Sequence, residues 1–199
     1  MEKINLTLVT AQELLFKKMQ NQNLRRHCLG VGKTLAEFWD FYKNEGRNLG
    51  TLTKEDWEIV GMLHDSDYEI TKDDFSKHVT TLLKWLEEYE VKSELLDALK
   101  THNNKITGLR EPQTVLEWTL ECCDELTGFI VAVALILPSK KLADVTVESV
   151  IKKFAQPAFA RAVDRSQITQ CEEKCHVPVE IFVRTTLTAM QKNSDILGL

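Results

Sequence analysis

The sequence predicts an all-α protein, and three observations carry that prediction. Apolar residues recur with helical period along most of the chain. Alternation of strand period is nearly absent, and neither an internal repeat nor a Pro/Gly/Ser-rich linker divides the chain. With 43% hydrophobic residues, 28% charged residues, 8 Gly and 4 Pro among 199, the composition is that of a folded globular chain, not of a disordered or collagen-like one.

The segments follow in order. Thr10–Gln20 leads, and Leu24–Tyr42 follows with Gly30 and Gly32 weakening its first half. Thr53 opens a helix over Trp57–Leu63, because Thr53 and Asp56 have capping-box spacing with Asp in place of the usual Glu. Asp73 or Asp74 caps Phe75–Tyr89, and Ser93–His102 comes next. Pro112 precedes the long segment Gln113–Leu137, which Pro138 closes. Shorter helices are expected at Val147–Phe154, Pro157–Val163, Ser166–Lys174 and Pro178–Gln191, with Pro157 and Pro178 where a first-turn proline is tolerated. The expectation is one domain over 1–199: a core at about 20–138 and a helical extension, 139–199, packed on it. Alone, that extension is small for a core of its own.

Charge and cysteine usage narrow the function. With 25 Lys+Arg against 30 Asp+Glu the net charge is −5, which argues against a nucleic-acid polymer as partner and leaves room for a small anionic substrate held by local cations. Cys28, Cys122, Cys123, Cys171 and Cys175 form no regular disulfide framework, which fits a reduced, cytoplasmic chain. Cys171, Cys175 and His176 have the look of half a zinc site with no second half. Met1–Gln20 carries Glu2, Lys3, Glu13, Lys17 and Lys18 and reads as no signal peptide. The apolar run Leu126–Leu137 is short against the roughly 20 residues that a bilayer needs, so a core helix is expected there and no membrane partner. No oligomerisation pattern is visible.

The informative residues are polar ones on apolar faces. At about 100° per residue, His102 lies in line with Val91, Leu95, Ala98 and Leu99. His78 shares a face with Phe75, Leu82 and Trp85, His27 lies beside Leu24, Val31 and Leu35, and His64 aligns with Trp57 and Val60. Each can be a core histidine satisfied by a hydrogen bond. Four on four predicted helices also fit a shared metal, which supplies the acceptor nitrogens of several imidazoles with one partner. Asp65 adjoins His64, and a metal held by both would offset the cost of a charge near the core. Asp124 stays undecided: with Glu117 and Glu121 it spans about 60° of a face that reads as solvated, yet its column continues as Val131 and Leu135.

The order His27, His64-Asp65, Asp124 resembles the HD superfamily of metal-dependent phosphohydrolases. The resemblance rests on LRRHCLGVGKTL around His27, GMLHDSDYE around His64-Asp65 and ECCDELTGFIVAVAL around Asp124. Through PSKKLADVTVESVIKKF and AFARAVDRSQI it extends to about residues 20–193, where it is similar to a branch of predicted HD hydrolases. It implies an all-α fold and one metal held by His27, His64, Asp65 and Asp124. In two-metal subfamilies two further histidines bind the second ion and the paired Asp bridges both; His78 and His102 occupy that interval here. The chain departs from the common His-Asp-Ile-Gly continuation, with Ser66 and Asp67 after the pair.

The implied activity is hydrolysis of a phosphate ester or anhydride of a nucleotide or related small molecule, with one or two divalent ions (Mn, Fe, Co, Ni or Zn) supplying hydroxide near neutral pH. Asp65, Asp67 and Glu125 are the candidate catalytic carboxylates, the last two as proton acceptors or as partners that orient the ligand histidines. Arg26, Lys33 and Lys140, among other Lys and Arg near His27 and beyond the helix of Asp124, are candidate substrate cations. Two alternatives remain: a di-iron oxygenase of the HD type, and a non-catalytic module that binds a metal or nucleotide for regulation.

Overall fold

The computed structural model describes residues 3–199, and its described part is all-α apart from one two-stranded ribbon. Helix α1 (Leu8–Lys18) and the long α2 (Gln22–Asn44) are followed by α3 (Lys54–Leu63), the single turn α4 (Tyr68–Thr71), α5 (Thr80–Leu86), α6 (Ser93–Thr101) and the short α7 (Asn104–Thr107). The second long helix, α8 (Val115–Ile136), precedes α9 (Val147–Phe154), α10 (Arg165–Lys174), α11 (Val179–Lys192) and α12 (Ser194–Leu197). Strands β1 (Ile4–Asn5) and β2 (Tyr89–Glu90) pair in parallel.

Threonine starts much of this architecture. Thr7, Thr53, Thr114 and Thr146 each accept from the backbone N–H three residues on, and the residue there returns a side-chain bond. These capping boxes satisfy backbone groups that a helix end leaves open. The Thr53–Asp56 pair is the one expected from sequence.

Two predicted helices are corrected. Phe75–Tyr89 is helical only from Thr80: Asp74 Oδ1 accepts from Ser76 N and Oγ in a local turn, and Val79 sits at φ 71°, which no α-helix continues. Its last residue, Tyr89, enters β2, and just before it Ile4 N donates to Glu88 O at 3.0 Å. Pro157–Val163 is a run of turns with Ala160 at φ 41°, held by the Arg165 guanidinium, which donates to the carbonyls of Phe154, Gln156 and Phe159. The ribbon, α4, α7 and α12 are too short to leave a periodic signal.

The core is built on α2, α3 and α8, with α1 outside α3, and α10 and α11 packed on α8 and α2. One cluster of buried residues joins Leu15, Phe38, Trp57, Phe129, Ile168 and Phe182, so residues from both sides of Pro138 share it. Gly32 and Gly61 bring α2 and α3 together. A Cβ on Gly61 would lie 2.7 Å from Gly32 Cα, and one on Gly32 would lie 2.8 Å from the Glu58 carbonyl oxygen. Gly32, which lowers helix propensity in α2, thus permits with Gly61 the close approach of the helices that carry His27 and His64. No described helix is long and apolar enough to cross a membrane; Leu135 and Ile136, at the end of the apolar run, are half exposed.

Candidate metal centre

Four elements deliver four histidines to one point. His27 lies in the first half of α2, His64 caps the C-terminus of α3, His78 sits in the turn before α5 and His102 caps the C-terminus of α6. Only His27 is within a helix, contrary to the expectation of four inward-facing helical histidines. At a helix end the chain can turn a ring inward without displacing the apolar stripe.

Two overlapping sets of ligand atoms result. His27, His64, Asp65 and Asp124 each offer one atom, all within 4.8 Å of one another, and Asp65, His78 and His102 do the same. Asp65 belongs to both and divides its oxygens between them: Oδ2 lies 3.6 Å from Nε2 of His27 and of His64, while Oδ1 lies 3.1 Å from His78 Nε2 and 3.0 Å from His102 Nε2. Asp124 Oδ1 closes the first set, 2.9 Å from His27 Nε2 and 3.4 Å from His64 Nε2. Ligand atoms about 2.1 Å from a common ion and about 90–109° apart lie roughly 3.0–3.4 Å from each other; the separations of 3.0, 3.1 and 3.4 Å fall in that range, and those of 2.9 and 3.6 Å lie just outside it.

The tautomers sharpen the fit. His64 Nδ1–H donates to Gly61 O at 2.7 Å, which turns the Nε2 lone pair of the neutral ring toward the two carboxylates. That Nε2 is buried and has no hydrogen-bond partner. His78 Nδ1–H donates to Asp67 Oδ1 at 2.6 Å, so its Nε2 lone pair faces Asp65 in the same way. A lone pair against a carboxylate is repulsive unless a proton or a metal cation stands between.

Without a metal, protons take that place. Burial disfavours the imidazolium, but the charges of Asp65 and Asp124 outweigh it and raise His64 to about 9. His78 also rises to about 9, against its burial, through Asp65 and Asp67. Burial likewise opposes ionisation of Asp65 and Asp124, yet the surrounding imidazoles hold both well below the usual carboxylate range. The donor set is imidazole and carboxylate, which suits Mn, Fe, Co, Ni or Zn and does not choose among them.

The centre opens into a cavity of about 470 Å³, whose walls come from the α4–α5 turn, α7, α8 and α10. Asp67, fully buried, stands behind His78: Oδ1 accepts from its Nδ1–H and Oδ2 from Leu82 N–H at 2.9 Å. It orients the His78 ring, and each of its oxygens is engaged by one of these donors. The side chain of Ser66, its neighbour, is buried with Oγ unpartnered. Glu125 lines the cavity and accepts from Asp164 N at 3.1 Å, without touching a ligand histidine.

The proposed substrate cations are placed elsewhere. Lys33 pairs with Glu58. Arg26 lies against Gly198 in a separate cavity of about 450 Å³ that His27 also lines. Lys140 is exposed beyond the end of α8, about 18 Å or more along that helix from Asp124. Lys105 is the Lys or Arg that lines this cavity, and Glu121 faces it too; neither was among the candidate site residues of the sequence. The acidic face of α8 is not a solvated stripe. Glu117 is buried and accepts from Arg110, Gln113 and Thr114, whereas burial and the charge of Asp124 push Glu121 up. A second signal was available in the i, i+4 spacing of Glu121 and Glu125. Cys171, Cys175 and His176 join neither ligand set, and both thiols are free and buried.

No family model matches the chain, and no curated protein or solved structure is significantly similar to it.

Proposed function

We propose that the chain is a metal-dependent phosphohydrolase of the HD type. The observation that carries this reading is Asp65, whose two oxygens face two separate pairs of imidazoles, with Asp124 completing one set and the cavity adjoining both. His27, His64, Asp65 and Asp124 would hold one ion, and Asp65, His78 and His102 a second. A divalent ion there supplies Lewis acidity, lowering the pKa of water and offsetting negative charge on phosphoryl oxygens.

The chain's own groups do the rest. Asp67 and the Gly61 carbonyl fix the tautomers of His78 and His64, so that both rings present Nε2 to the centre. Asp65 and Asp124 supply two negative charges that retain a cation. Lys105 lies on the cavity wall, where its ammonium can meet a phosphoryl oxygen. Helix α10 contributes Gln167 and Gln170 to the cavity wall, with Gln167 Oε1 accepting from Lys105 at 2.9 Å.

The test is metal analysis of the purified protein, then a screen of phosphomonoesters, phosphodiesters and nucleotides with Mn, Co or Ni added. Phosphate release that needs the metal and is lost in Asp65→Ala is the expected result. Bound iron with oxygen consumption and no phosphate release would favour the oxygenase instead, and metal binding without turnover of any substrate would favour a regulatory module.

A further inference from the structure

We infer that the metal cavity takes a substrate with a single phosphoryl group on a flat, uncharged organic body, and discriminates against nucleoside di- and triphosphates. The inference rests on the phosphohydrolase reading for its metals and deepens it by naming the substrate class.

Charge limits the phosphates. With two divalent ions in place and Asp65 and Asp124 ionised, the centre carries a net charge of about +2, which a phosphomonoester dianion balances. With one ion the balance is lower still. A second or third phosphoryl group would extend along the cavity wall, where Lys105 is the one cationic side chain among the described lining residues. Its ammonium is already engaged by Gln167 Oε1 at 2.9 Å, with Asp164 Oδ2 at 3.7 Å. The other charged groups of that wall are Glu111, Glu121 and Glu125. The Glu121 side chain lines the cavity without a hydrogen bond or ion pair to a described residue. Sites built for polyphosphates line the chain of phosphates with Lys, Arg and backbone N–H groups; this wall is acidic.

The wall formed by α4 and the turn before α5 suits a flat apolar group. Tyr68, Phe75 and the His78 ring pack edge to face at centroid distances of 5.7–6.3 Å, with Trp118 also lining the cavity. Phe75 and Ile106 are 40% and 57% exposed at the cavity, an apolar surface that the fold leaves uncovered. Gln170 adds an amide able to donate and accept, which suits the edge of a heterocycle. A volume of about 470 Å³ is within the range of small-molecule sites.

The experiment is calorimetric titration of the full chain, saturated with Mn²⁺ at a fixed free concentration, with the common nucleoside monophosphates, their triphosphates and inorganic phosphate. Phosphate release is measured in parallel. At least one monophosphate should bind tenfold or more tightly than both its triphosphate and inorganic phosphate. The double variant Glu111→Gln, Glu121→Gln should narrow the gap to the triphosphate several-fold, and Phe75→Ala should weaken the nucleotide while leaving inorganic phosphate unchanged. Triphosphates binding as tightly as monophosphates in every pair would overturn the inference, as would no monophosphate exceeding inorganic phosphate. A monophosphate preference without turnover would count against hydrolysis alone; with turnover, the same comparison is read from non-hydrolysable phosphonate analogues, whose heats report binding only.

Discussion

Asp67 holds His78 from behind: its Oδ1 accepts from His78 Nδ1–H at 2.6 Å while its Oδ2 accepts from the backbone of Leu82. One fully buried carboxylate thereby ties the turn before α5 to a ring that faces Asp65. Replacing Asp67 with Asn keeps the shape but puts an amide where a charged acceptor stood. Affinity for the second ion should fall roughly 10–100-fold, so that at limiting metal the bound count drops from two toward one. Elemental analysis alongside circular dichroism checks that the loss is local.

His102→Ala and His78→Ala test the second site directly. Either should lower the metal stoichiometry from two to one while the fold survives, and activity should fall by orders of magnitude. Were the rings only core histidines, both variants would lose about 1–3 kcal/mol of stability through broken hydrogen bonds and packing, with the metal count unchanged. Metal content and melting temperature on the same samples separate the two.

The metal-free protein should lose stability as pH rises from about 6.5 toward 9. The folded-state pKa of His64 and of His78 is raised to about 9 from 6.5, so each stabilises the fold fully below 6.5 and ceases to as pH passes the raised value. Asp65 and Asp124 have depressed folded-state pKa values, so their contribution is present above 3.8 and lost as the solution becomes more acidic. A bound divalent ion replaces the protons on the rings, so the metal-loaded protein should keep its melting temperature across the alkaline window. Thermal melts at pH 6, 7.5 and 9 with and without metal give the comparison, and equal slopes would contradict it.

Gly61→Ala should be among the more damaging single substitutions. The added Cβ would meet Gly32 backbone atoms at 2.7 Å, and neither is the end of a movable side chain. Overpacking of this kind costs about 1–3 kcal/mol, and here it also pushes α2 from α3, separating His27 from His64. Lower stability together with weaker metal binding is expected, read by denaturant melts and metal titration.

Removal of residues 139–199 should cost solubility. It strips α10 and α11 from α8 and α2, uncovers Phe38 and Phe129, and takes Gln167 and Gln170 from the cavity wall. A soluble, active 1–138 fragment would contradict the shared core.

By itself the sequence determined the helical class, the main segments and the inward bias of His27, His64 and His102, because each of these is a local property: a period of apolar residues, a cap, or a position on one stripe. Tertiary structure decided the rest. Periodicity gives a direction about one helix axis and says nothing of what stands opposite, so Asp124 stayed open until α2, α3 and α8 were packed. His78 lay on a predicted helix that a positive φ at Val79 turns into a tight bend, and only the packed chain brings Asp67 behind it. Which cations line the cavity is decided in the same way. Lys33 is near His27 in sequence yet turned to Glu58, whereas Lys105, distant in sequence from Asp124, shares a cavity with it because α6, α7 and α8 meet there.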